Sequence, residues 1–390
     1  MDLNCKRDKL LNEELCNHCL GRQFAQLGTG LENYERGYLV RKTEKLSEEV
    51  FKPNNLEKGL EVGGECYLCN GLFEQLDKYT KLMIDKLEDY EFKTILVGTR
   101  PPEELKKREK ELWLKYGQEY AEPLKTEFNR LLAKRIMPKL NVDSDLDRPD
   151  IQAVVDIADK EVELYLSSVL VYGQYNKYVR DISQTIWNYS QNSVQQVIQT
   201  PFLKRFAAVE AKFHGAGRED LNVRCFAKRE FILELMKPKK RNVNLEELTT
   251  TVNQSQDKVE IFNLQFVSPD KKEVIKNREA DKIYRALVRF DIDVTKNDLL
   301  QLDNLVGIVE QKTPSRVLKN RGDKLRTREI YQLLVEDITS QKIELIIKAE
   351  AGTYIKEFIS GDDCRTQPSV AGLLNCSAKC EKLDVVSIDN

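Results

Sequence analysis

Four of the nine cysteines fall in two C-x2-C pairs, Cys16 and Cys19 in "ELCNHCLGRQF" and Cys66 and Cys69 in "GECYLCNGLF". Two such pairs can present four thiolates tetrahedrally to one Zn²⁺, which is the donor set of a closed structural site. The Asn70-Gly71 dipeptide after the second pair suits a turn that aims backbone N–H groups at sulfur. No thioredoxin-like βαβ pattern surrounds either pair, which argues against a redox role. His18, inside the first pair, is an alternative ligand or a solvated side chain. Cys5, Cys225, Cys364, Cys376 and Cys380 show no four-ligand spacing and read as ordinary thiols, with Cys376 and Cys380 near enough for weak binding.

Catalytic candidates are fewer. The chain has no Walker loop, no G-x-G-x-x-G and no G-x-S-x-G. It contains two histidines, His18 and His214, so a histidine-based triad has almost no material. Carboxylates, lysines and tyrosines remain. Among them Asp220 stands out in "HGAGREDLNVRC", because Gly215 and Gly217 let the backbone bend sharply just before it. A charged surface hairpin is the competing reading of the same stretch.

Three basic segments could meet phosphate. "QKTPSRVLKNRGDKLRTR" carries Lys312, Arg316, Lys319, Arg321, Lys324, Arg326 and Arg328 against the single acid Asp323. Lys237, Lys239, Lys240 and Arg241 follow Met236, and "VYGQYNKYVRDISQT" interleaves Tyr172, Tyr175, Lys177, Tyr178 and Arg180. Cations neutralise phosphates and aromatic faces stack on exposed bases, so RNA is the expected partner. Each segment alone could equally be a solvated face.

The elements that must carry these residues are mixed. Phe92, Ile95 and Val97 predict a strand ended by Gly98 and two prolines, then a helix over "PPEELKKREKELWLKYG" and a second that closes before Pro138. Val162, Leu164 and Leu166 alternate with polar residues in a β-like stretch. Further on, "KREFILELMKP", "KVEIFNLQFVS", "KIYRALVRFDIDV" and "KIELIIKAEAG" read as strands, with helical patterns in "SVQQVIQTPFLKRF" and "TKNDLLQLDNLVG". This predicts a multidomain α+β chain: a cysteine-pair region over 1–73, an accessory domain over 74–190, and a mixed or antiparallel-sheet catalytic domain over 191–390.

With 390 residues, 41% hydrophobic and 32% charged, the composition is that of a globular protein with sizeable cores. The net charge of −2 means that RNA binding must rest on local patches rather than a global field. No apolar run is long enough to span a bilayer, and the N-terminus lacks the apolar core of a secretory signal. A cytoplasmic location, no membrane association and a monomer are the expectations.

The motifs also carry a resemblance. "AGREDLNVR" is similar to the catalytic-aspartate motif of the archaeal and eukaryotic Pus-ten family of tRNA pseudouridine synthases. "KIYRALVRF" resembles that family's base-stacking tyrosine motif, and "AEAGTYIKEFISGDDCRTQPSV" its third motif, whose G-T-Y-I-K/R core is shared with TruB-type enzymes. "SSVLVYGQYNKYVRDISQT" resembles the end of the THUMP-containing accessory domain, and the cysteine pairs match the family's zinc site. The resemblance covers nearly the whole chain in the right order. It implies a zinc-knuckle and THUMP-like accessory domain, a pseudouridine synthase catalytic domain, a structural Zn²⁺, no organic cofactor, and tRNA as partner.

Carried over residue by residue, it implies that Asp220 is the catalytic aspartate, Tyr284 stacks on the target base, Tyr354 lines the pocket, and Lys356 pairs with Asp220. Arg218 would help open the RNA, and Arg365 would contact substrate. Tyr175, Lys177, Arg180, Arg316, Arg321 and Arg326 are the expected RNA-binding residues. The implied reaction is uridine-to-pseudouridine isomerisation in the T arm, at position 54, 55 or both, with base flipping. The Asp could attack the sugar or abstract its 2′ proton. The chain departs from the family at Asn222, commonly an acid, at Ala227, near which a glycine is usual, at Arg229-Glu230-Phe231, commonly R-P-F, and at Cys364, commonly a glycine. A THUMP-bearing methyltransferase or thiolase would need a nucleotide- or SAM-binding loop that is absent. A non-catalytic, zinc-containing tRNA-binding protein is the alternative reading.

Overall fold

The computed structural model describes residues 2–56, 66–186, 193–319 and 321–389. It divides into two compact units, Met1–Ser167 and Ser168–Asn390.

The first unit is a small sheet covered by helices. Strand β1 (Thr94–Arg100) is central, flanked in parallel by β2 (Asp143–Ser144) and β3 (Ile151–Asp156), and β4 (Glu161–Leu166) completes the sheet antiparallel to β3. Ile95 and Val97 point into the core, as their alternation requires. The helix Leu124–Leu140 packs on β1 and on the helix Leu76–Leu87. It does not close before Pro138. The proline sits in its last turn, where one missing N–H costs little, and Asn141 ends it in the left-handed region at φ 53°. One continuous apolar core runs from Leu10 through the cysteine pairs to Val162, so the cysteine region and the sheet share their packing.

The second unit is built on one ten-stranded sheet. Its strands are β5 (Val169–Lys177), β6 (Glu210–Gly215), β7 (Val223–Met236), β8 (Val259–Phe266), β9 (Lys282–Phe290), β10 (Gly307–Lys312), β11 (Leu325–Ile338), β12 (Lys342–Ala349), β13 (Thr366–Gln367) and β14 (Ala378–Ile388). Their order is β13-β10-β11-β12-β9-β14-β7-β5-β8, with β6 also on β7. Every pair is antiparallel except β14 with β7. One face is closed by the helices Val194–Phe206 and Leu245–Ser255. The α+β class is as expected.

The domain boundary expected at 190–191 lies outside the described residues, and the compact units part earlier, at Ser167–Ser168. The reason is strand pairing. β5 was expected to end the accessory domain, yet it forms ladders with β7 and β8 and so belongs to the second sheet.

Candidate active site

Asp220 lies on the loop between β6 and β7. Gly217 turns that loop at φ 69°, a conformation that carries a penalty for residues with a Cβ. Gly215 is needed for space: a Cβ there would sit 2.8 Å from the Gln184 side-chain nitrogen. That nitrogen donates to the Gly217 carbonyl at 2.9 Å and to the Tyr175 hydroxyl at 2.9 Å.

The loop is clamped from beneath. The fully buried Lys177 ammonium donates to the carbonyls of Ile182 (2.9 Å), Asp220 (3.3 Å) and Leu221 (3.2 Å). Buried Glu219 accepts from the Tyr175 hydroxyl at 3.0 Å and pairs with Arg229 Nε at 2.9 Å, while Arg229 Nη1 donates to the Ala216 carbonyl at 2.9 Å. Arg180 donates to the Asn222 carbonyl (3.0 Å) and the Leu383 carbonyl (2.8 Å) and pairs with Asp384 at 2.6 Å. These contacts correct the RNA-binding assignment of Tyr175 and Lys177, while Arg180, though paired, keeps 21% of its side chain exposed. β5 lies inside the sheet between β7 and β8, so Tyr175 and Lys177 have no exposed surface. Their basic-aromatic pattern serves a buried polar network, in which each charge needs partners.

Above the clamp, Asp220 is half exposed, and its Oδ2 meets Lys356 Nζ at 2.9 Å and Arg316 Nη1 at 3.1 Å. Burial alone would raise the pKa of this carboxyl. The Lys356 hydrogen bond and the two nearby cations outweigh it, so the net shift is below the ordinary aspartate value. Lys356 Nζ also donates to Asn222 Oδ1 at 2.8 Å. Lys356 belongs to the short helix Ile355–Ser360, which begins after Tyr354. Fully buried Gln311 fixes that start by accepting from Tyr354 N–H (2.8 Å) and donating to its carbonyl (3.0 Å).

Tyr284 comes from β9. Val385 of β14 pairs with it on one side and with Cys225 of β7 on the other, so only β14 separates the tyrosine's strand from the strand that follows the Asp220 loop. Tyr284 is 9% exposed, and burial pushes its hydroxyl up to about 12, so it stays a neutral phenol. The nearby Lys282 ammonium is pushed down to about 8, chiefly by burial and then by Arg229.

Asp220, Tyr284, Tyr354, Lys356, Arg218, Arg316, Arg321 and Arg326 all line one cavity of about 610 Å³, together with Arg229, Lys276, Lys282 and Arg328. Nine basic side chains against Glu219 and Asp220 give this cavity an excess of positive charge that can attract a polyanion, although the whole chain is slightly acidic. Arg218 is exposed at the rim. Arg321 donates to the Tyr354 hydroxyl at 3.2 Å, and the Arg326 guanidinium lies 6.0 Å from the Tyr354 ring centre. Arg365 is not part of the lining. It donates to the Thr313 carbonyl at 2.9 Å and pairs with Asp323, bracing the base of the β10–β11 loop, because β13 anchors it beside β10. The 237–241 patch is likewise away from the lining. Lys282 was within reach of sequence reasoning, two residues before Tyr284 on the same strand. Glu219, Arg229 and Gln184 had no signal of their own.

In the first unit, Cys16, Cys19, Cys66 and Cys69 bring their four Sγ atoms within 4.8 Å of one another, with Cys16 and Cys69 3.7 Å apart. A tetrahedral thiolate site with metal–sulfur bonds near 2.3 Å needs sulfurs about 3.8 Å apart, so the donor set fits a metal ion. Buried Arg22 places Nη2 3.8 Å from Cys19 Sγ, a cation able to offset thiolate charge. His18 is neither ligand nor solvated. It stacks on Phe73 at 4.2 Å and pairs with buried Glu127 at 2.7 Å. Among the described residues no other group of this kind forms, Cys376 and Cys380 included, and no helix is long and apolar enough to cross a membrane.

Two family models define the class of the chain. Residues 170–389 match "Pus10, C-terminal" and residues 79–156 match "Pus10 THUMP domain, archaeal". At full length, the chain is 38% identical to the tRNA pseudouridine synthase Pus10 of Pyrococcus furiosus, covering 100% of this chain and 98% of that one. It is 34% identical to the protein of the same name from Methanopyrus kandleri, covering 97% of each. The chain belongs to the Pus10 family.

Proposed function

We propose that this chain isomerises uridine to pseudouridine in the T arm of tRNA, at position 54, 55 or both, with Asp220 as the essential carboxylate. The observation that carries the reading is Asp220 held ionised by Lys356 and Arg316 at the edge of a basic cavity that Tyr284 also lines. The target uridine leaves its stack and enters the cavity, where its base lies against Tyr284. The basic lining neutralises the flanking phosphates, and exposed Arg218 braces the opened strand. Asp220 initiates cleavage of the N1–C1′ bond. The freed uracil turns, C5 bonds to C1′, the proton on C5 is lost and N1 gains one. The sum is an isomerisation, balanced without an oxidant or reductant.

The first unit grips the tRNA body and acceptor end, and the cysteine cluster holds a structural Zn²⁺, consistent with four buried or half-buried sulfurs at tetrahedral spacing. The protein acts as a monomer in the cytoplasm. The test is an unmodified tRNA transcript incubated without cofactor with wild-type and Asp220→Asn protein, then mapped by a carbodiimide primer-stop assay. Stops in the T arm with wild type alone support the reading and name the uridine. Normal pseudouridine formation by Asp220→Asn, or tight tRNA binding with no stops from either protein, overturns it, and the second outcome favours a non-catalytic tRNA-binding role. Metal analysis finding no zinc in freshly purified protein removes the zinc assignment.

A further inference from the structure

We propose that Arg316 is a positioning residue for the Asp220 carboxylate rather than a contact for RNA phosphate, an inference that rests on the reading of Asp220 as the reacting group. Arg316 sits in the single turn Ser315–Val317 of the β10–β11 loop, within a run of cations that by composition alone reads as a phosphate-binding segment. Its guanidinium is already committed on two edges. Nε donates to Glu357 Oε1 at 2.7 Å, and Nη1 stands 3.1 Å from Asp220 Oδ2. Glu357 is 5% exposed and shares a helix with Lys356, so the guanidinium plane is set from inside the protein. A planar fork held by two carboxylates has a defined orientation, unlike a mobile surface arginine.

This second cation matters because Lys356 is divided. Its ammonium is shared between Asp220 Oδ2 and Asn222 Oδ1, at 2.9 and 2.8 Å. Both cations meet the same oxygen, Oδ2, and among the described residues no hydrogen bond reaches Oδ1. The carboxylate is therefore tethered through one oxygen and presents the other. The charged and titratable groups facing it are Lys356 from the helix, Arg316 from the loop, Lys177 from β5 and Tyr284 from β9, with Glu219 adjacent in the chain. The lowered pKa of Asp220 agrees with that balance. By contrast, Arg218 lines the same cavity, is exposed, and has no carboxylate partner among the described residues, so it remains available for phosphate.

The experiment compares full-length wild type, Arg316→Gln and Arg316→Lys. It measures single-turnover pseudouridine formation at saturating tRNA transcript across pH, tRNA affinity against salt, and the Asp220 titration in free protein by carboxyl-carbon NMR. Removing one cation about 3 Å away from a half-exposed carboxylate raises the Asp220 midpoint by about one pH unit or more. The expected result for Arg316→Gln is that shift in both the NMR midpoint and the acid limb of the rate. The saturating rate falls about tenfold or more, while affinity changes less than about threefold and its salt slope is kept. Arg316→Lys, which keeps the charge but not the fork, restores the midpoint more than the rate. A normal saturating rate with weakened binding and a salt slope reduced by about one would make Arg316 a phosphate contact and overturn the proposal. An unmoved Asp220 midpoint in Arg316→Gln overturns it as well. Because that midpoint is read without substrate, it judges Arg316 even if wild type makes no pseudouridine, a failure that would count against the proposed reaction instead. Were Arg316→Gln to misfold, the Arg316→Lys rate and affinity decide the matter on the same criteria.

Discussion

Substituting Lys177 by methionine separates two incompatible roles for the same residue. Methionine matches the stem of lysine in bulk but removes the ammonium. That ammonium has no exposed surface and donates to three carbonyls, those of Ile182, Asp220 and Leu221. It also stands 3.9 Å from Glu219 Oε1, so its loss leaves that buried carboxylate with Arg229 as its one close cation among the described residues. Breaking a buried charge cluster in this way costs about 3–5 kcal/mol. Leaving one buried polar group unpaired costs about 1–3 kcal/mol, and the Ile182 carbonyl contributes on that scale, while those of Asp220 and Leu221 keep the amides of Val223 and Asp181. Burial opposes the charge and lowers the lysine pKa, which trims the gain from having it, so ~3 kcal/mol is a fair central value. In a unit of this size each kcal/mol moves the melting midpoint by about 2–4 °C, giving a fall of about 6–12 °C. The freed loop carries Asp220, and a displacement of about 1 Å can cost about 100-fold in rate. Thermal melting by circular dichroism, tRNA affinity by filter binding and a single-turnover rate test this together. An unchanged melting midpoint with weakened tRNA binding would refute the reasoning and return Lys177 to the RNA-contacting surface.

Other perturbations follow from the same geometry. Cys69→Ser removes one of four clustered donors, so metal content measured by inductively coupled plasma spectrometry should fall, and the first unit should become protease-sensitive before the second, because structural metal binding supplies folding free energy. Cys364 adopts φ 62°, where a Cβ costs about 1 kcal/mol. Cys364→Gly should therefore raise the urea midpoint by the equivalent of about 0.5–1 kcal/mol, less the entropy glycine gains when unfolded. Although burial opposes it, His214, Lys272 and Ser168 hold the Glu234 carboxyl down to about 2, below the ordinary 4.5. The unfolded chain then takes up that proton first as pH falls, so this stabilisation is complete above about pH 5 and is lost between about pH 4.5 and pH 2, up to about 3 kcal/mol. Glu234→Gln should flatten that part of the stability-against-pH curve.

Much of the site could be read locally. The cysteine pairs needed only their C-x2-C spacing, and they converge as expected. β9 and β12 show strand periodicity in "KIYRALVRF" and "KIELIIKA", and the glycines before Asp220 mark a turn that the fold indeed uses. The link from Asp220 to Lys356 came with the motif resemblance, and the fold brings the two to 2.9 Å. What was not legible has one cause: a charge on a sequence does not say whether it faces water or the core. "YGQYNKYVR" and "SRVLKNRGDKLR" both carry cations that could meet phosphate. The first is a strand flanked on both sides by others, so its Tyr175 and Lys177 are buried as a clamp. The second is a loop at the cavity, so its arginines line the site.

The unit boundary at Ser167–Ser168 has the same origin, since β5 is assigned by ladders to β7 and β8, partners far away in the chain. By itself, then, the sequence determined which residue types were available and which short elements present them, because spacing and periodicity act over a few residues. Only the tertiary structure decided which cations were buried, which paired with Asp220 and which were left exposed, because burial and pairing are set by strand neighbours that no local pattern encodes.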